Sequence, residues 1–131
     1  ILQQSTLIAK DNSFSIMKIL VKDVTVISVY LSKEAKELVE IVEFLEQHKT
    51  ERCIVLGDFN FNPDKTNILT RKFKEWNYSQ QINNPTHRDG NIIDHVYVSE
   101  ELLEHSVCDL HYVYYSDHQG VCITLKNPPK C

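Results

Sequence analysis

The sequence predicts an α/β layered domain, with a mostly antiparallel sheet carrying helices on one face. Three observations point there. Two β-branched apolar runs, Phe14 to Lys22 and Val24 to Tyr30, are joined at Lys22-Asp23; the apolar spacing turns helical after Ser32; and short apolar runs bounded by turn residues return through the last third. At 131 residues with 42% apolar and 9% aromatic content, the chain has material for one core and too little for two. A single domain over residues 1–131 is therefore expected, with little room for linkers before Asn127.

The first two runs read as an antiparallel hairpin. The second, Val-Thr-Val-Ile-Ser-Val-Tyr, is mostly apolar on both alternating faces, so it expects cover on both sides. From Ser32, a candidate N-cap, Ala35, Leu38, Ile41, Val42 and Leu45 recur three or four apart, with lysines and glutamates between them: an amphipathic helix. A compact strand, Cys53 to Leu56, stops at Gly57-Asp58-Phe59-Asn60. The loop Asn62-Pro63-Asp64 leads to a helix from Thr66 to Trp76 and a poorly patterned strand around Tyr78 to Ile82. A turn at Arg88-Asp89-Gly90-Asn91, a strand from Ile92 to Val98, a helical turn near Glu100 to Leu103, and strands at Val107 to Tyr114 and Gly120 to Lys126 complete the chain. What covers the second face of the sheet is not evident from these residues.

A net charge of −4 argues against a protein that grips nucleic acid by bulk attraction to phosphates; any such contact must be local or metal-assisted. Mild acidity also simply aids solubility. Four cysteines, Cys53, Cys108, Cys122 and Cys131, form no C-x-x-C pair, and three lie in apolar runs, so they read as small buried hydrophobes in a reducing compartment. No run is long enough to cross a bilayer, and no membrane partner is expected. The chain opens on Ile1 and reads as an excised piece, with an intracellular setting, nuclear or cytoplasmic, favoured.

Carboxylates and histidines stand at the ends of apolar runs in three places: Gly57-Asp58-Phe59-Asn60, Ile93-Asp94-His95 and Ser116-Asp117-His118. Strand ends let polar groups converge on a cleft while the strands behind hold them in place. Asp58 and Asn60, two residues apart, point to one side in extended geometry; a carboxylate beside an amide can orient a water and donate to a phosphate oxygen. For that tetrapeptide alone, an Asx-turn closing the strand is the commoner account. Asp94 needs a partner, and His118 can supply one, because a carboxylate bonded to one ring nitrogen fixes the tautomer and presents the other. Asp117 is free to help bind a hard cation such as Mg²⁺. Taken singly, each of these residues reads as an ordinary turn or loop residue; the ordered set carries the weight.

In that order, the three stretches resemble the endonuclease/exonuclease/phosphatase family. The strand ending at Tyr30 is similar to the family's strand that delivers an active-site tyrosine, and the resemblance runs from about Phe14 to Lys126. It implies one half of a four-layer α/β sandwich and metal-dependent phosphodiester hydrolysis with Mg²⁺ or Mn²⁺. It further implies that Asp58 activates water and contributes to the metal site, Asn60 contacts phosphate, His118 faces the scissile phosphate and Asp94 orients it. Asp117 would be a metal ligand and Tyr30 a phosphate-site hydroxyl, although a tyrosine ending a buried strand is more often a core aromatic with a wet tip. Asn84-Pro85-Thr86-His87 resembles the mobile-element nuclease branch, which favours DNA as the substrate. Lys65, Arg71, Lys72 and Lys74 are candidate backbone contacts, or simply a solvated helix face.

Complete members of that family look like two similar halves, and this chain resembles the second. The family's metal-binding glutamate has no counterpart here, and an apolar face on Val24 to Tyr30 should seek cover from the absent half or a second copy of the chain. Three readings therefore stand: an endonuclease needing the absent half, a catalytically inactive interaction or dimerisation module, and a phosphatase of a small phosphorylated substrate.

Overall fold

The computed structural model describes residues 2–10, 13–33, 38–111 and 120–125. Its strands are β1 (Leu2–Lys10), β2 (Phe14–Val21), β3 (Val24–Leu31), β4 (Cys53–Asp58), β5 (Ser79–Gln80), β6 (Asp94–Val98), β7 (Ser106–His111) and β8 (Gly120–Leu125). Helix α1 spans Leu38–His48 and α2 spans Ile68–Glu75, and Glu100–His105 forms a 3-10 helix. Six strands make one sheet in the order β1-β2-β3-β4-β6-β5, while β7 and β8 pair as a separate hairpin. Every pair in the large sheet is antiparallel except β3 with β4, which α1 connects. The predicted α/β class and mostly antiparallel sheet are therefore present.

The β2–β3 hairpin forms as its sequence requires, with Lys22 at φ 53 supplying the tight turn. Strand β1 was not foreseen. Its Gln-Gln-Ser-Thr centre breaks any alternation, and it exists because β2 offers an edge with which to pair from Lys10↔Phe14 to Leu2↔Val21. The described part of α1 begins at Leu38; Ser32 donates its N–H to the Ser13 carbonyl and so extends the hairpin, and residues 34–37, with Ala35, lie outside the described residues. Helix α2 starts later than Thr66. Asn67 caps it, its side chain accepting the Thr70 N–H while the Thr70 hydroxyl accepts the Asn67 N–H. Strand β5 is short because the Gln80 side chain takes over the pairing, accepting the Ile82 N–H and donating to the Ile82 carbonyl.

Both helices pack on one face of the sheet. Ile41, Val42, Phe44 and Leu45 of α1 and Leu69 and Phe73 of α2 join Ile16, Ile27, Val29, Val55 and Tyr97 in a single buried cluster. Alternation sends the intervening residues to the other face, where Val24, Ile54, Val96 and Val98 are buried with Ile82 and Leu102. Ile123 and Leu125 of β8 pack against that second cluster, so the final hairpin supplies cover that the sequence did not reveal. The apolar surface expected along Val24 to Tyr30 is correspondingly reduced. Val24 is buried, whereas Val21 and Tyr30 stay 37% and 43% exposed.

Gly57 sits where β4 runs alongside β3, at φ +147, and a Cβ there would lie 1.8 Å from the Val29 carbonyl oxygen. No L side chain fits without moving backbone. Gly57→Ala should therefore lower stability by about 3 kcal/mol or more, in the range of severe packing and backbone lesions, as read by urea unfolding. An unchanged unfolding midpoint would mean that β3 and β4 are not paired in this register.

Candidate active site

The strand ends that carry Tyr30, Asp58 and Asp94 lie side by side, whereas the Ser116-Asp117-His118 stretch expected to join them lies outside the described residues. Tyr30 on β3 is paired with Asp58 on β4, and Asp58 with Asp94 on β6, so the three form one row across adjacent strands at one end of the sheet. Cross-strand partners project to the same side. That side is the one opposite the helices, because Ile27, Val29 and Val55, at odd spacing from the row, belong to the helix-side cluster. Phe59 donates its N–H to the Ile93 carbonyl at 2.8 Å, just beyond the row. That bond puts Asp58 and Asp94 in the closer, non-hydrogen-bonded type of antiparallel pair, with Cα atoms about 4.5 Å apart.

The tetrapeptide Gly57-Asp58-Phe59-Asn60 divides its work residue by residue. Gly57 permits close approach to β3, and Asp58 ends the strand on the open side. Phe59 turns back into the helix-side core at 1% exposure. Asn60 adopts φ 53, donates its backbone N–H to the Asp58 carboxylate at 3.0 Å, and donates from its amide nitrogen to the Leu31 carbonyl. The Asx-turn interaction and the chemical arrangement thus coexist: the bond that closes the turn also fixes the Asp58 carboxylate. Leu31 follows Tyr30 directly, so Asn60 ties the β4 loop to the strand that carries the tyrosine. Tyr30, at 43% exposure, is not a core aromatic.

Asn84-Pro85-Thr86-His87 has a structural role that sequence reading did not assign. Thr86 is fully buried, and its hydroxyl oxygen accepts the N–H groups of Ile93 and Asp94, both at 3.0 Å. Across the same loop, Asn62 accepts the Ile92 N–H at 2.8 Å and donates to the Asn91 side chain. The turn between closes with His87 and Asp89 bonded at 3.0 Å, and hydrogen bonds from the Asn91 backbone and from His87 hold the Asp89 carboxyl below the usual carboxylate range.

His95, next to Asp94, faces the opposite way. It is buried at 1% exposure, stacks on Phe59 with centroids 4.9 Å apart, and bonds the Ile92 carbonyl and the Tyr97 hydroxyl through its two nitrogens. Burial holds its pKa below the ordinary histidine value, so it is a neutral core residue. Of the candidate phosphate contacts, Lys72 lies 3.8 Å from Glu46 of α1 and from Glu75, on the helix side of the sheet. Lys65 lies over the Phe61 ring. Cys53 is buried, as the sequence implied, and burial raises its thiol pKa.

Asp117 and His118 lie outside the described residues, as does the approach to them from residue 112. Among the described residues, no group of three or more His, Cys, Asp or Glu side chains is placed to hold a metal ion. Mg²⁺ takes about six oxygen ligands, several of them water, and binds carboxylates directly. Asp58 and Asp94 supply the right atom type but do not by themselves complete such a site. Nor, among the described residues, is any helix long and apolar enough to cross a membrane.

A family model described as endonuclease-reverse transcriptase matches residues 24–122. No curated protein matches the chain. Among solved structures, the endonuclease domain of TRAS1, a telomere-specific non-LTR retrotransposon, aligns with a TM-score of 0.73 at 15% identity, over 98% of this chain and 69% of that one. The Haemophilus ducreyi cytolethal distending toxin aligns at TM-score 0.68 and 19% identity, over 97% of this chain and 60% of that one. For the corresponding toxin of Actinobacillus actinomycetemcomitans the values are 0.64 and 17%, over 97% of this chain and 60% of that one. At such identities the likeness is one of fold, and the chain spans less than two thirds of the length of the toxin chains.

The neutral His95 gives a pH prediction. Its folded pKa lies below the unfolded value of about 6.5, so the unfolded chain takes up the proton first on acidification. Stability present above that pH should fall as the pH drops below it, by at most about 1.4 kcal/mol per pH unit for this one proton. Urea unfolding of wild type and His95→Gln between pH 8 and 5 should show a shallower decline in the variant. Parallel curves would place His95 in solvent.

Proposed function

The chain belongs to the endonuclease-reverse transcriptase family, and from that premise we propose that it is the catalytic-row half of a phosphodiesterase that cleaves DNA. The observation that carries the reading is the alignment of Tyr30, Asp58 and Asp94 on one face at one sheet end, in a register that pairing with β3 and β6 fixes. Water is the nucleophile. Its oxygen forms the new bond to phosphorus as the P–O bond to the leaving sugar oxygen breaks; Asp58 accepts the proton that water gives up, and the leaving oxygen takes a proton from solvent. The Tyr30 hydroxyl and the second hydrogen of the Asn60 amide nitrogen, whose first is donated to Leu31, hydrogen-bond the non-bridging oxygens. By the family resemblance, His118 would be the histidine that meets the scissile phosphate, Asp94 the carboxylate that orients it, and Asp117 a metal ligand.

A divalent cation, Mg²⁺ or Mn²⁺, is the cofactor this reading calls for; bound, it neutralises phosphate charge. Asp58 and, by the family resemblance, Asp117 would contribute oxygen ligands, a set short of the about six that Mg²⁺ prefers. We assign the remaining ligands to a segment beyond these residues that seats on the half-open face beside Val21 and Tyr30. The span of this chain relative to the structures it resembles supports that assignment. DNA as the substrate rests on the family and on the resemblance of the Asn-Pro-Thr-His stretch to mobile-element nucleases. An intracellular location is part of the same proposal.

The partial donor set also favours a second reading, a non-catalytic module that dimerises through that face. Sedimentation separates the two: a monomer at tens of micromolar counts against the module, a concentration-dependent dimer for it.

Nicking of supercoiled DNA in Mg²⁺ by the protein with that covering segment present tests the enzymatic reading directly. Asp58→Ala should reduce the rate by about a hundredfold or more, the range expected for losing a positioned base, and chelation should abolish it. Activity that survives Asp58→Ala would remove the assignment.

A further inference from the structure

Three consecutive backbone N–H groups at the entry to β6 are held by side chains. Asn62 Oδ1 accepts from Ile92 at 2.8 Å, and Thr86 Oγ1 accepts from both Ile93 and Asp94 at 3.0 Å. The paired register of β6 with β4 ends at Asp58↔Asp94, and beyond it the Phe59 N–H meets the Ile93 carbonyl, while the N–H groups of residues 92–94 are met by these side-chain oxygens. Thr86 is itself anchored, its N–H donating to the Asn91 carbonyl at 3.0 Å, which closes the segment 86–91 into a loop. The Thr86 oxygen is therefore the fixed point that sets where β6 begins, and a one-residue slip would turn Asp94 to the helix face and bring a neighbour to the open face.

We propose that Thr86 is a positioning residue for Asp94, acting by holding two successive backbone amides, with Asn62 as a second clasp from the loop that follows Asp58. The proposal rests on the phosphodiesterase reading for its catalytic consequence and on the hydrogen bonds alone for its structural one. Because Asn62 reaches across from the Asp58 loop, the two clasps link the carboxylates through their backbones. Only an oxygen in the Thr86 position can accept both N–H groups; the methyl group is dispensable for that purpose.

The test compares Thr86→Val, which keeps the shape and loses the acceptor, with Thr86→Ser, which keeps the acceptor. In Thr86→Val, the Ile93 and Asp94 amides should exchange with solvent at least tenfold faster, and kcat for DNA nicking in Mg²⁺ should fall about tenfold or more with KM within twofold. Thr86→Ser should restore both to within about threefold of wild type. Equal losses in Val and Ser, or wild-type exchange and kcat in Val, would overturn the proposal. Should Thr86→Val not fold, Asn62→Ala on the exposed loop takes its place: faster exchange confined to Ile92 to Asp94 with lowered kcat supports the clasp, and unchanged values overturn it. Amide exchange needs no activity. A wild-type protein that nicks no DNA with the covering segment present would therefore count against the phosphodiesterase reading, while protection of these amides still decides whether Thr86 fixes Asp94.

Discussion

Strand β4 lies between a parallel neighbour and an antiparallel one, and the register of both pairings is what the rest of the molecule depends on. Gly57 makes the parallel contact so close that a side chain would penetrate the Val29 carbonyl, which leaves β4 no freedom to slide along β3. Phe59, buried one residue past Asp58 and bonded to Ile93, pins the antiparallel side. With the strand held at both edges, Asp58 can face only one way, and Tyr30 and Asp94 follow because they are its partners. A small residue, a carboxylate and a large aromatic in succession are thus a mechanical arrangement before they are a chemical one.

Much of this was legible in the residues. The two-faced apolar run of β3, the helical spacing of Leu38, Ile41, Val42 and Leu45, and the abrupt stop at Gly57 were each readable locally, and the structure places them accordingly. The convergence of Tyr30, Asp58 and Asp94 was legible as a set of strand ends, though not as a row, because pairing order is non-local. Features that depend on a partner elsewhere in the chain stayed hidden. Strand β1 lacks a pattern of its own and forms because β2 has an edge to offer. The second face of the sheet has cover because β8 packs back on it, a contact across most of the chain that no local window contains. Asp94 and His95 read as a single motif, yet adjacent residues on a strand face opposite layers, so one belongs to the open end and the other to the core.

The chemistry and the architecture meet in the polar bonds around the site. Asn60, Asn62 and Thr86 are short side chains in loops, the class that competes with regular backbone pairing. Here each does so productively, bonding a backbone group beside a proposed catalytic residue: Leu31 after Tyr30, Ile92 before the β6 entry, and Asp94 itself. The loops that flank the proposed catalytic residues are thereby held to the sheet rather than to one another's side chains alone. That arrangement suits a site in which charge, whether from carboxylates or from a phosphate, must be faced by groups that cannot relax away from it.

The register itself is open to direct measurement. In the nuclear Overhauser spectrum of the labelled chain, opposed Cα protons of a non-hydrogen-bonded antiparallel pair give a strong cross-strand signal. Such a signal should connect Asp58 with Asp94. Its absence, with Asp58 connected instead to His95, would mean that the two carboxylates face opposite layers, and the proposed catalytic row would not exist.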